Sequence, residues 1–293
     1  MMTLEKLKTK YRQFKAWQKQ PYQVAPMSHE SHQCATCGTR FEGNYCPRCG
    51  QSASVGIYSF KKAFLLFLDV WGLGNRGMFR TIRDLLLRPG YMIRDYLQGM
   101  QMAYFPPFKM FFLLIALSLL VSSGFNIKGE NRLEQSQELI MSGFDDAIGE
   151  PDNDSAAEAS KQYSNQAYEW TMKHISLVTM VFLLLFSIPL YFVFRRGPAC
   201  PYINYSGFFV AVVYSMNMLQ LYSVISNFFC LSIYLEMFYY LLLVIPIKQL
   251  SGYSYLSTLL RFILALLIFF VVLIVVVFIG AFIASMVYTM FIK

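Results

Sequence analysis

Apolar positions change character near residue 108. Before it, large hydrophobic residues recur every three or four positions among lysines and arginines; after it, they run together in long uncharged blocks. A hydrocarbon core of about 30 Å takes roughly 20 apolar residues at 1.5 Å per residue. The blocks 108–125, 175–194, 207–226, 229–247 and 262–292 each approach or exceed that length. They predict an all-α polytopic membrane protein with five transmembrane helices, the first at 108–125 and the other four in a bundle over 174–293. The last block is long enough to require tilt, a bend near Gly280, or projection beyond the core.

Charge then orients the blocks. Residues 1–107 carry 15 Lys/Arg against 6 Asp/Glu, whereas residues 125–173 carry 4 against 10. Basic segments stay on the cytoplasmic side. The front is therefore expected in the cytoplasm and the acidic loop 126–173 outside. Arg195 and Arg196 return to the cytoplasm, Asn227 lies outside, Lys248 and Arg261 lie inside, and the C-terminus ends in the periplasm. The centre of the acidic loop, EPDNDSAAEASKQ, offers too little apolar surface to offset chain entropy and reads as a solvated spacer. The first 33 residues hold no unbroken apolar run, so a later helix is expected to be the first one translocated.

The cytoplasmic front divides into three parts. Residues 1–33 begin with a basic amphipathic segment: Leu4, Leu7, Tyr11, Phe14 and Trp17 at helical spacing, amid Lys6, Lys8, Lys10, Arg12, Lys15 and Lys19. That pattern fits an anionic membrane surface, with a phosphate-binding nucleic-acid arm as the alternative. Residues 34–51 contain CATCGTRFEGNYCPRCG, two Cys-x-x-Cys-Gly knuckles. Cys34, Cys37, Cys46 and Cys49 make a four-thiolate set suited to tetrahedral zinc, with no open position, hence a structural ion. His29 and His32 precede the first knuckle and read as loop residues. Residues 58–107 carry short amphipathic stretches too brief to span: a helix from Ser59 to about Trp71, a second with Phe79, Ile82, Leu85 and Leu86 on one face, and a third after Pro89 stopping near Gly99. They are expected at the cytoplasmic interface. There Arg76, Arg80, Arg83, Arg88 and Arg94 either contact lipid headgroups or act as ordinary positive-inside anchors.

The knuckles, ending CGQ at Gln51, together with LLLRPGYMIRDYLQGMQMAYFPPFKMFFLL and four later apolar blocks, resemble a bacterial membrane family known as domain of unknown function family 3667. The resemblance covers most of residues 34–260. It implies the architecture and a bacterial inner membrane, and no activity.

Within the apolar blocks the ionisable residue that stands out is Glu236, faced by a possible stripe of Tyr214, Asn217 and Gln220. Intramembrane charges are costly and often functional. The alternative is a neutral glutamate hydrogen-bonded between helices. The chain shows no HExxH, no phosphate-cradling glycine loop, no Ser-His-Asp set and no paired intramembrane carboxylates. The expected protein is thus not an enzyme. Its expected partners are membrane lipids and a cytoplasmic protein docked on, or interfacial helices braced by, the zinc ribbon. A small transporter or channel around Glu236 and a nucleic-acid-binding regulator are the competing readings, and oligomeric state is left open.

Overall fold

A computed structural model describes residues 4–24, 26–53, 76–148, 162, 165–166, 168–200, 203–232 and 238–291. The helix expected at 59–71 lies outside these residues, as does the centre of the acidic loop. The chain forms two compact units, residues 1–80 and 81–293.

In the first unit, helix α1 (Leu4–Lys19) is followed by a two-stranded antiparallel hairpin. Strand β1 (Ser31–Gln33) pairs with β2 (Arg40–Glu42), placing His32 opposite Phe41. The first cysteine knuckle is the turn between these strands. The second follows β2, and Tyr45 bridges Ser52 to close it. Phe41, Cys34 and Cys46 are buried together, with Cys37 and Ala53 packed against them. A module this small has one aromatic at its centre and little else to bury.

The chain passes into the second unit through α2 (Arg76–Leu87). The buried stripe from Thr81 onward is Thr81, Asp84, Leu85 and Arg88, while Phe79 is 69% exposed. Of the face expected from hydrophobicity, Leu85 is buried and Ile82 and Leu86 are half-buried, while Phe79 is not covered. Arg88 interrupts the helix, and α3 (Pro89–Leu97) begins with proline at its first turn, where no N–H donor is needed. A 3-10 turn (Gln101–Ala103) leads to Pro106 and α4 (Pro107–Ser122). Helices α5 (Arg132–Ile148), α6 (Ile175–Phe194) and α7 (Tyr205–Phe228) follow. Next come a 3-10 turn (Tyr240–Leu243) continued by α8 (Val244–Ser251), and finally α9 (Tyr255–Phe291).

Among the described residues four helical stretches are long and apolar enough to cross a membrane: Gln101–Ser122, Ile175–Phe194, Tyr205–Phe228 and Tyr255–Val275. This is a polytopic helical membrane architecture. Of the block 229–247, residues 233–237 lie outside the description, and Tyr240–Ser251 forms a shorter apolar helix. Helix α9 starts earlier than expected because Ser254 caps it, its hydroxyl accepting the Ser257 N–H at 3.3 Å. It runs unbroken through Gly280.

Helix α7 is the centre of the second unit. Along its second half it lies against α4, where Asn227 donates to the Ser122 hydroxyl at 3.4 Å. Its first half packs on α3 and α6. Polar atoms at one end of the unit are matched closely. Arg261 of α9 donates to the Val193 carbonyl of α6 at 3.2 Å, and Tyr253 donates to the Arg196 carbonyl at 2.9 Å. The last four carbonyls of α8 all receive donors, from the Gly252 and Ala199 N–H groups and, at Gln249 and Leu250, from Arg94. The basic residues Arg94, Arg195, Arg196, Lys248 and Arg261 thus share one end of the unit, while Asn126, Arg132 and Asn227 share the other.

Candidate metal centre and buried charged network

The two knuckles repeat the same backbone geometry. In the first, the Gly38 N–H bonds the Cys34 carbonyl at 2.9 Å and the Cys34 N–H bonds the Thr39 carbonyl at 2.9 Å. In the second, the Gly50 N–H bonds the Cys46 carbonyl at 2.9 Å and the Cys46 N–H bonds the Gln51 carbonyl at 2.8 Å. Both turns require a left-handed residue, and Gly38 and Gly50 supply it with φ of 72° and 74°. A side chain with a β-carbon would be strained at either place. The repeat brings four sulfurs together: all four Sγ atoms lie within 4.8 Å of one another. Cys34 and Cys49 are 3.4 Å apart and Cys37 and Cys46 3.6 Å. Tetrahedral ligands at about 2.3 Å from a metal sit about 3.8 Å from each other, so the cluster has the dimensions of a four-thiolate metal site.

The surroundings favour thiolates. The Thr39 hydroxyl, 3.3 Å from Cys37 Sγ, and the Thr39 N–H hold the Cys37 thiol down to about 6. The Cys37 N–H lowers Cys34 in the same way. At Cys49 the Gln51 N–H also pulls downward, but the neighbouring sulfurs and desolvation outweigh it and push the thiol up to about 12. Gln51 ties the second knuckle to the first: its Oε1 accepts the Thr36 N–H at 3.1 Å and also the Thr36 hydroxyl. His32 is not part of the cluster; its ring lies 5.8 Å from that of Phe41.

The second unit holds a different concentration of chemistry. The Arg88 guanidinium, only 3% exposed, pairs with Asp95 through Nη2 and lies 3.6 Å from Asp84 Oδ2. Tyr104 Oη is 3.3 Å from Asp95 Oδ2, 3.4 Å from Asp84 Oδ2 and 3.4 Å from Arg88 Nη2. Arg83, on the exposed side, donates to Asp84 Oδ1 at 2.8 Å. Two carboxylates are thus matched by two guanidiniums, with the single tyrosine hydroxyl within reach of both carboxylates. Next to it the entry turn of α4 is held from three sides. The Phe105 N–H donates to the Thr81 hydroxyl at 2.8 Å. Tyr214 donates to the Phe105 carbonyl at 2.6 Å, and Asn217 Nδ2 to the Pro107 carbonyl at 2.9 Å.

Residues 75–119 match the model of a family described as Protein of unknown function (DUF3667). No curated protein matches the chain, and no solved structure does. The matched stretch contains Thr81, Asp84, Arg88, Asp95 and Tyr104, so the whole charged network is internal to the DUF3667 segment, while the four cysteines lie outside it.

The segment's Arg-Pro-Gly run has one role per residue. Arg88 centres the network, Pro89 starts α3, and Gly90 lets α3 touch α8 directly. A β-carbon at Gly90 would stand 2.4 Å from the Pro246 carbonyl oxygen and 2.8 Å from the Leu250 nitrogen. The Gly90 N–H donates to Gln249 Oε1 at 2.9 Å.

The arginines expected at lipid headgroups fall in different places. Arg88 is buried in the network. Arg94 spends one nitrogen on the carbonyls of Gln249 and Leu250, at 2.7 and 3.1 Å. Arg80 lies over the Tyr22 ring at 3.8 Å. Arg83 is paired with Asp84, and the side chain of Arg76 lies outside the description. Hydrophobic patterning missed the network because it scores Asp84, Arg88 and Asp95 as surface. The available signal was the i,i+4 pair Asp84 and Arg88 beside the Arg-Pro break, after which Asp95 on the next helix completes the set.

Glu236 lies outside the described residues. Of the stripe expected to face it, Tyr214 and Asn217 turn to the α4 entry, and both are fully buried. Asn217 Oδ1 and Gln220 Oε1 are buried without a hydrogen-bond partner among the described residues.

Proposed function

We propose that this is a non-enzymatic bacterial inner-membrane protein, N-terminus cytoplasmic and C-terminus periplasmic, whose four-cysteine module holds structural zinc and docks a cytoplasmic protein. The observation that carries the reading is the closed sulfur cluster. Four cysteines with mutual Sγ distances within 4.8 Å fill every position of a tetrahedral ion and leave none for substrate. Zinc fits four thiolates in a reducing compartment better than a hard cation does. The orientation follows from the cations at one end of the second unit, Arg195, Arg196, Lys248 and Arg261. When bound, zinc supplies folding energy to a module whose buried core is otherwise Phe41 and the cysteines themselves. Thr39, Thr36 and Gln51 orient the knuckles that would hold it.

The test is crosslinking in native membranes, comparing wild type with the Cys34→Ser/Cys49→Ser variant at equal abundance. The variant should lose zinc by elemental analysis and lose specific crosslinked proteins. Identical crosslinked partners in both would eliminate docking and leave the module a brace for its own chain.

One observation favours a second reading, a small transporter or channel with a polar site near Glu236. Asn217 and Gln220 each bury an acceptor that has no donor among the described residues. Such atoms cost free energy unless something else, a cation or a proton carrier, uses them. Under that reading Glu236→Gln abolishes flux in reconstituted vesicles, whereas the docking reading leaves Glu236→Gln without effect on captured partners.

A further inference from the structure

Helix α1 leaves three large apolar side chains exposed. Leu7 is 47% exposed, Tyr11 61% and Phe14 39%. At 3.6 residues per turn these three fall within about 60° of the helix circumference. Cations border that stripe on both sides. Lys6 and Lys10 lie along one edge, and Lys8 and Lys15 along the other, with Lys15 Nζ 5.6 Å from the Tyr11 ring. The opposite side carries Glu5, Thr9 and Ala16, and Glu5 is the only acid in the helix. Lysine stems can cover apolar surface while their ammonium groups reach outward to the same plane.

We infer that α1 is an in-plane membrane anchor that docks on anionic phospholipid. The stripe would sit below the headgroups and the two rows of lysine at phosphate level. A single nucleic-acid strand would satisfy the lysines and stack bases on Tyr11 and Phe14, but gives Leu7 no apolar phase to enter. A groove in another protein would take the stripe, yet needs acidic walls on both sides of it to match the cations. An anionic bilayer offers both at once. It is also always near, because the second unit of this same chain carries four membrane-type helices. Tethering makes docking intramolecular, so even a modest intrinsic affinity is sufficient. The consequence is a second attachment for the metal module. Between Lys19 and Ser31 the chain is short enough to hold the cysteines within about 40 Å of the bilayer surface.

The experiment uses the full chain in nanodiscs, with the photoreactive residue p-benzoylphenylalanine in place of Tyr11. One set of discs is phosphatidylcholine alone; the other contains about one-third phosphatidylglycerol. Docking predicts lipid adducts in the anionic discs and few in the neutral ones. Adducts should fall as salt rises from 0.1 to 1 M, as the Debye length shrinks from about 10 to about 3 Å. Each lysine neutralised, Lys6→Gln, Lys10→Gln or Lys15→Gln, should lower the docked-to-free ratio about five-fold. Leu7→Ser/Phe14→Ser should abolish the lipid adducts while leaving the metal content unchanged. Equal lipid adducts in both kinds of disc would overturn the inference. So would adducts that move to nucleic acid or to protein when a cell extract is added.

Discussion

Replacing Arg88 by methionine tests whether the buried network holds the DUF3667 segment together. Asp84 and Asp95 would each keep 10% or less of their side-chain surface in contact with solvent after losing the guanidinium between them. Removing one partner of a buried ion pair costs about 3–5 kcal/mol, because a charge is left without compensation. Asp84 retains Arg83 at 2.8 Å, so the loss falls mainly on Asp95 and the lower end applies. We therefore expect a loss of about 3 kcal/mol, roughly two decades in the folded-to-unfolded ratio. Reversible denaturation of purified protein in mild detergent or bicelles measures it. Adding Asp95→Leu to Arg88→Met removes the stranded charge, so the double variant should be more stable than the two single losses would sum to. A headgroup contact behaves differently: Arg88→Met would then cost less than about 1 kcal/mol and weaken anionic-lipid binding instead. A loss under about 1 kcal/mol with no coupling to Asp95 would refute the network as a structural joint.

Two further outcomes follow from the geometry. Metal uptake exchanges protons for the ion. Cys37, held down to about 6, has none to give at pH 7, while Cys49, pushed up to about 12, gives one throughout the neutral range. Affinity measured by chelator competition should therefore rise with pH across neutrality and fall more steeply below pH 6, where Cys37 must also be deprotonated. Thr39→Val removes the hydroxyl that lowers Cys37, so it should weaken binding more at pH 6 than at pH 8; an equal effect at both would contradict this account of the thiolate. Gly90→Ala normally stabilises a helix by up to about 1 kcal/mol. Here the methyl meets backbone atoms at 2.4 and 2.8 Å, so α3 must move off α8 and we expect a net loss of about 1–3 kcal/mol in a detergent thermal-shift series.

Much of this architecture is legible in sequence because membranes impose coarse rules. Long apolar blocks and asymmetric charge need no tertiary context to be read, and the paired cysteines identify their own cluster. In the block at 229–247 the described residues are helical from Phe238 onward, with Pro246 in the first turn of α8, and residues 233–237 lie outside the description. On α2, patterning finds Leu85 but not Asp84 and Arg88, because a charge can be buried once its partner is buried with it.

That last point explains how one short segment can organise a membrane unit. Asp84, Arg88 and Asp95 bind the end of α2 to α3, and Tyr104 carries the same network to the turn before α4. Gly90 and Arg94 then fix α3 to α8, while Thr81, Tyr214 and Asn217 fix the α4 entry to α2 and α7. Apolar packing alone is a weak guide to register where lipid is as apolar as leucine. Directional contacts are stronger guides, since each has a single partner and a penalty for missing it. Most of them here lie in, or reach into, residues 75–119, the stretch the family model matches. On this argument the matched segment is a joint that sets how the helices around it assemble.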